Sequence, residues 1–341
     1  MRIIVDAMGG DNAPAEIVKG AVEAARDFGI SLMLVGKEDE IRACLKNEKA
    51  EDMTDKISVV NATEVVLNED DPTTVLRSKK GASMFVALRA LKNGEGDAFI
   101  SAGSTGALLA GATLIVKRVR GIRRAALAPV LPNGGKGVML IDCGANVECT
   151  PEYMLQFAYM GSFYAKYIMG CANPRVALLN VGSEDTKGGA FQKESFEVLK
   201  AAGDSGNINF IGNIEASKIF FDHVDVVVTD GFSGNITLKA VEGSVIYIMS
   251  TMKDILTTNT RSKIAALVIK KRLHEFKKRV DPSETGGTAL LGISKPVIKA
   301  HGSSDARAMK NAILQAINFI KADVISKTEK NIDLMVIPKA K

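Results

Sequence analysis

Short apolar runs recur along the chain, each stopped by Gly, Asp or Asn. They cover residues 3–5, 32–35, 57–60, 98–100, 138–141, 175–180, 208–211 and 224–229. Most are apolar at consecutive positions, the pattern of strands buried on both faces, whereas a half-exposed strand alternates. Between them lie stretches with helical spacing. In residues 14–28, for example, Ile17, Ala21, Ala24 and Phe28 share one face. Strands alternating with helices predict an α/β protein, a three-layer αβα arrangement around a mostly parallel sheet.

One segment breaks the alternation. Leu238, Val241, Val245, Ile248 or Met249, Met252 and Leu256 recur at helical spacing, and Ile269, Leu273, Phe276 and Val280 form a second stripe. Thr257, Thr258, Asn259 and Thr260 make a polar turn between them. The pattern predicts a protruding amphipathic helical hairpin inserted over residues 238–280. Charge sharpens this. The chain carries +5, yet residues 253–279 hold nine Lys/Arg against two carboxylates. That local +7 leaves the remainder slightly acidic, which suits one anionic partner surface and not a chain that coats nucleic acid.

The 341 residues amount to about two domains by length. No Pro/Gly/Ser linker divides them, so a single continuous α/β unit over 1–341 is expected, with room for two lobes around a cleft. No apolar run reaches the ~18 residues of a membrane span. Met1 and Arg2 lead directly into a short run ended by Asp6, unlike a signal peptide. The four cysteines, Cys44, Cys143, Cys149 and Cys171, show no paired spacing, as expected of reduced thiols in a cytoplasm. Aromatic content of 5% without Trp argues further against nucleic acid.

Candidate chemistry sits where apolar runs end in small polar or glycine-rich loops. Asp6 and Asn12 belong to one such loop, and Gly103, Ser104, Thr105 and Gly106 to a second. Asp142 and Asn146 belong to a third, and Asp230, Ser233, Gly234 and Asn235 to a fourth. In open α/β sheets ligands bind at the carboxyl ends of strands. Glycines let backbone N–H groups approach an anion, and hydroxyls add donors. The alternative for any one loop is a tight β–α turn. A fifth loop, residues 182–189, holds Lys187, which can neutralise a phosphate or stabilise an oxyanion, or stand solvated beside Glu184 and Asp185. His301 precedes a helix that Ser304 or Asp305 can cap. His223 reads as structural, His274 as solvated, and Cys143 as a small buried filler. The dinucleotide, P-loop and nucleophile-elbow spacings are missing, and no cluster has metal-ligand spacing. No cofactor and no metal are expected.

Seven of these segments, in this order, resemble the PlsX family of phosphate acyltransferases. They are D-A-M-G-G-D at 6–11 with Asn12, Ala13 and Pro14, S-A-G-S-T-G-A at 101–107, D-C-G-A-N at 142–146, N-V-G-S-E-D-T-K-G at 180–188, T-D-G-F-S-G-N at 229–235, T-G-G at 285–287 and H-G-S-S at 301–304. The resemblance spans nearly the whole chain. It implies a fold like that of phosphotransacetylases and of isocitrate/isopropylmalate dehydrogenases. It implies transfer of a long fatty acyl group from acyl carrier protein to inorganic phosphate, giving an acyl phosphate for phospholipid synthesis. It also implies a cytoplasmic, peripherally membrane-associated homodimer. On that reading phosphate attacks the thioester directly, with Lys187 and Asn235 at the reacting centre. Gly103, Ser104, Thr105 and Gly106 cradle phosphate, and Asp6, Asn12, Asp142, Asn146, Asp230, Ser233, Gly234 and His301 contribute to the pocket. Arg261, Lys263, Lys270, Lys271, Arg272, Lys277 and Lys278 would meet anionic lipid or the acidic carrier protein. Packing of two hairpins into a four-helix bundle is the competing use of the apolar stripes. Two other functions remain open: a short-chain phosphotransacetylase using acetyl-CoA, and a non-catalytic membrane scaffold of lipid synthesis.

Overall fold

The computed structural model describes residues 1–280 and 286–337, with the side chains of His274 and residues 277–280 outside that description. Among the described residues twelve strands form two sheets. The strands are β1 (Arg2–Asp6), β2 (Ser31–Gly36), β3 (Ile57–Asn61), β4 (Ala98–Ser101), β5 (Ala126–Ala128), β6 (Val130–Leu131), β7 (Val138–Ile141), β8 (Arg175–Leu179), β9 (Asn209–Ile214), β10 (Val226–Val228), β11 (Thr288–Leu291) and β12 (Val297–Lys299). The first sheet runs β3-β2-β1-β4-β12-β11-β5 and the second β6-β7-β10-β8-β9. The interior strands β1, β2, β4, β7, β8 and β10 pair in parallel. Among the named strands, antiparallel pairing is confined to β11 and the edge pair β6–β7.

The helices are α1 (Ala15–Phe28), α2 (Glu38–Asn47), α3 (Val75–Ser78), α4 (Ser83–Lys92), α5 (Thr105–Gly111), α6 (Pro151–Tyr167), α7 (Ala190–Asp204), α8 (Gly231–Thr257), α9 (Thr260–Val280), α10 (Ala306–Ala322) and α11 (Val324–Lys330). The reason for the consecutive apolar runs is now visible. Ile3 and Val5 of β1 enter one core with α1, α6 and α10, while Ile4 enters the other with α4 and α5. In β7, Met139 and Ile141 share the first core and Val138 and Leu140 the second. Each core therefore runs beneath both sheets, and the layers are α, β and α, as the pattern of apolar runs predicts. Removing two such faces from water is the main favourable contribution to folding.

Local signals place the helix ends. α1 stops at Gly29, whose left-handed φ of 64° suits a residue without Cβ. Asp305, not Ser304, caps α10, accepting from Ala308 N at 2.8 Å. The sequence pattern missed β5, β6, β11 and β12. Each has two to four residues.

Candidate active site

Three of the predicted loops meet at the carboxyl edge of the first sheet. β1, β4 and β12 are neighbours there, with Ser101 paired to Lys299. Asp6, at the end of β1, is 1% exposed. Its carboxylate accepts from Ser83 Oγ at 2.6 Å, Ser101 Oγ at 2.7 Å and Met8 N at 3.3 Å. Ser101 Oγ in turn accepts from Gly103 N at 3.0 Å. Burial raises the Asp6 pKa, and these hydrogen bonds oppose the rise. The carboxylate is thus spent on positioning the 101–105 loop and lies beneath the pocket, not in it. A Cβ on Gly9 would stand 2.7 Å from Gly103 N, so the two loops touch backbone to backbone and require glycine.

Above this floor lies a cavity of about 340 Å³. Gly103, Ser104 and Thr105 line it on one side, Asp11 and Gly302 on another, and residues 65–69 form its outer wall. Ser104 is half-buried and Thr105 exposed. Gly106 faces away, toward Pro72, whose Cγ lies 2.7 Å from where a Cβ would be. Asn12 ties its loop to the seventh motif, donating from Nδ2 to Ser303 O at 3.1 Å and Ser304 O at 3.2 Å. His301 is exposed and pairs through Nδ1 with Ser303 Oγ at 2.8 Å. Ser303 N also donates to that nitrogen at 3.3 Å. Thr285 of the T-G-G segment lies outside the described residues, while Gly286 and Gly287 precede β11.

The remaining loops meet at the carboxyl edge of the second sheet, where β7, β10 and β8 adjoin. Asp142 repeats the role of Asp6. It is fully buried and accepts from Leu127 N at 2.8 Å, Asn146 N at 2.7 Å, Asn146 Nδ2 at 3.0 Å and Ala145 N at 3.3 Å. Burial pushes its pKa up to about 6, against the pull of these donors. Asn146 spends its amide on Asp142 and on Ala125 O at 2.8 Å. The segment expected as a fourth loop is instead the first turn of α8. Asp230 caps it, accepting from Ser233 N at 2.8 Å. Gly231 and Gly234 are needed because α8 sits on the loop that follows β7: a Cβ on Gly231 would meet Asn146 O at 2.5 Å, and one on Gly234 Asp142 O at 1.9 Å. This close approach leaves Asn235 exposed beside Gly144, whose Cβ position lies 3.5 Å from Asn235 Oδ1. Lys187 follows β8. Its side chain is 49% exposed, folds back over Gly182 and pairs loosely with Glu184 at 3.7 Å.

α8 joins the two clusters. Lys239, two turns beyond the first, lies near enough to Lys299 to lower its pKa, and Glu242 near enough to Cys143 to raise the thiol's. Lys239 and Glu242 are themselves paired at 2.6 Å. Lys299 and Lys239 escaped the sequence reading. Neither lies in a glycine-rich motif, and only the pairing of β12 with β4 brings Lys299 to Ser101. Among the described residues no group of three or more His, Cys, Asp and Glu is arranged to hold a metal ion.

α8 and α9 form the pair of helices expected over 238–280, with α8 beginning earlier, at Gly231. The predicted stripe Val245, Met249, Met252 and Leu256 is half-buried, consistent with its use where α8 meets α9. A second apolar set, Tyr247, Ile255, Leu267 and Val268, is 62–81% exposed. Arg261, Lys263, Lys270, Lys271 and Arg272 are exposed on α9, while the side chains of Lys277 and Lys278 lie outside the described residues. No helix among the described residues is long and apolar enough to cross a membrane.

The architecture is that of the phosphotransacetylases. The chain is similar to a phosphotransacetylase from Streptococcus pyogenes (TM-score 0.64, 19% identity, covering 96% of this chain and 94% of that one). It is also similar to a branched-chain phosphotransacylase from Enterococcus faecalis V583 (TM-score 0.59, 15% identity, 94% and 99%). Such identities establish the fold alone. Sequence relatives go further. The model of the fatty acid synthesis protein family matches residues 1–327. Proteins named phosphate acyltransferase share 45% identity over 326 residues in Clostridioides difficile strain 630 (95% of this chain, 94% of that protein) and 44% over 334 residues in Bacillus subtilis strain 168 (97% and 98%). The chain belongs to this family of phosphate acyltransferases.

Proposed function

We propose that the protein transfers a long-chain fatty acyl group from acyl carrier protein to inorganic phosphate, releasing an acyl phosphate for phospholipid synthesis. The observation that carries this reading is the gathering of six motif segments at the carboxyl edges of the two sheets, linked by α8, one edge holding a glycine-lined cavity and the other an exposed lysine and amide. Phosphate is already anionic at neutral pH, so it attacks the thioester carbonyl without a protein base. A C–O bond forms, the C–S bond breaks, and the thiolate leaves to take a proton. Lys187 and Asn235 stabilise the oxygen that becomes negative. Ser104, Thr105 and the glycine backbone hold the phosphate. Asp6, Asp142, Asn146 and Asp230 act by fixing these loops.

The two sheets act as one catalytic unit and the α8–α9 pair as its docking arm. Exposed Tyr247, Leu267 and Val268 suit the same surface of a second copy, giving a homodimer. The cations of α9 suit an anionic membrane or the acidic carrier protein, so the enzyme is cytoplasmic and peripherally membrane-associated. The long exposed arm favours this donor over acetyl-CoA. Parallel assays with palmitoyl-acyl carrier protein and acetyl-CoA, each with phosphate, test the assignment. Turnover with the first is expected; turnover with acetyl-CoA alone identifies a short-chain phosphotransacetylase, and membrane binding with neither activity a scaffold.

A further inference from the structure

Lys299 is placed where the motifs do not reach. It ends β12, its backbone pairs with Ser101, and its side chain lines the cavity shared by Ser104, Thr105, Gly10 and Gly302. Nζ donates to Ala102 O at 3.3 Å and to Ala300 O, both in loops bordering the cavity. An ammonium has three donors. Two go to these carbonyls and the third remains for a ligand. A buried cation is costly unless matched by negative charge. Two carboxylates act on it: Asp11, which lines the same cavity, and Asp6 beneath it, which is already surrounded by three donors.

We propose that Lys299 is the cation of a phosphoryl-oxyanion subsite in this cavity, binding the phosphate directly beside Ser104 and Thr105. The proposal rests on the acyl-to-phosphate reading and adds to it the residue that supplies positive charge on the first sheet. Lys187 is then left to the thioester end of the reaction, on the second sheet. Inorganic phosphate is the expected occupant; the phosphodiester of a carrier-protein arm has the same chemistry.

Burial pushes the Lys299 pKa down to about 8, with Lys239 adding to the fall and Asp11 and Asp6 opposing it. Glu69, on the cavity's outer wall, is the other charged side chain facing it. Oxyanion affinity should therefore weaken as pH rises through about 8, where Lys299 loses its proton.

The test uses the full-length protein with Lys299→Met and Lys299→Arg. Losing one charge-assisted contact should raise the phosphate KM about tenfold to a hundredfold in Lys299→Met. Lys299→Arg, which keeps the charge, should recover part of the loss. A rise confined to the acyl-donor KM also supports the subsite and assigns it to the donor's phosphodiester. A second readout needs no acyl donor: phosphate and sulfate should raise the melting temperature of the wild type and not of Lys299→Met. If Lys299→Met does not fold, the wild-type shift with sulfate, whose charge is constant, should shrink from pH 7 to 9. A folded Lys299→Met with wild-type KM values and an intact phosphate shift overturns the proposal, as does a wild-type sulfate shift that is flat across that range. A Lys299-dependent anion shift in a protein without acyl-transfer activity would sink the acyltransferase reading and leave the subsite standing.

Discussion

Asp142 Oδ1 accepts a hydrogen bond from Leu127 N at 2.8 Å, and Cys143 N returns one to Leu127 O at 2.9 Å. Leu127 lies on the edge strand of the first sheet and Asp142 at the end of an interior strand of the second. One carboxylate thus couples the two sheets and at the same time shapes the loop that leads to Asn146.

Asp142→Asn should destabilise the protein by about 2–3 kcal/mol at pH 7, because an amide cannot accept from all four N–H donors and turns an N–H toward some of them. The pH dependence has a defined sign. The folded pKa of about 6 lies above the ordinary aspartate value of 3.8, so between these values the folded chain keeps a proton that the unfolded chain has lost. By linkage, the contribution of this group to stability is greatest below about 4, falls as pH rises to about 6, and is level above. Denaturant midpoints of wild type and variant from pH 4 to 7 should show the stability gap narrowing with pH. A gap that widens contradicts this account of Asp142.

The seat of α8 on the loop that follows β7 predicts opposite outcomes for two glycines of one helix. A Cβ on Gly234 would meet the Asp142 carbonyl at 1.9 Å, whereas one on Gly243 meets nothing within 4 Å. Gly234→Ala should cost about 3 kcal/mol or more, since backbone must move. Gly243→Ala should stabilise by about 0.5–1 kcal/mol through helix propensity. Thermal melts of both variants check the contrast.

Lys187 is half exposed and its ion pair with Glu184 is loose. Lys187→Ala should therefore change stability by no more than about 0.5 kcal/mol. Its turnover should nevertheless drop about a hundredfold or more, the scale of losing one oxyanion-stabilising group. A folded variant with near-normal turnover would remove Lys187 from the reacting centre.

On the helical arm, Leu267→Asp with Val268→Asp should weaken self-association, read by sedimentation velocity. Charge reversal at Lys270 and Lys271 should instead reduce co-sedimentation with anionic phospholipid vesicles, and the wild-type binding should weaken with salt. Binding indifferent to both salt and charge would discard the electrostatic contact.

The sequence made the architecture legible because each interior strand divides consecutive apolar residues between two cores, as Ile3 and Ile4 do. It exposed the glycine motifs for a related reason: Gly9, Gly103 and Gly234 stand where backbones nearly touch. What it hid was depth and long-range pairing. Asp6 and Asp142 end strands as a ligand-binding acid would, yet both are consumed by neighbouring N–H and O–H donors. Gly231 and Gly234 suggested a loop, but they open α8 because only glycine fits against the 142–146 loop that follows β7. Lys299 ends a three-residue strand with no periodic signature, and its partner Ser101 is nearly two hundred residues away in sequence. The half-buried stripe on α8 was legible; the second, exposed apolar set was not, because periodicity identifies one best face and is silent about others.

Acyl transfer to phosphate is read out by thiol release from palmitoyl-acyl carrier protein by the purified protein, with and without inorganic phosphate, followed by mass detection of the product. Release that requires phosphate and yields palmitoyl phosphate is the predicted result. Release without phosphate, yielding free palmitate, or no release from a folded protein, would contradict it.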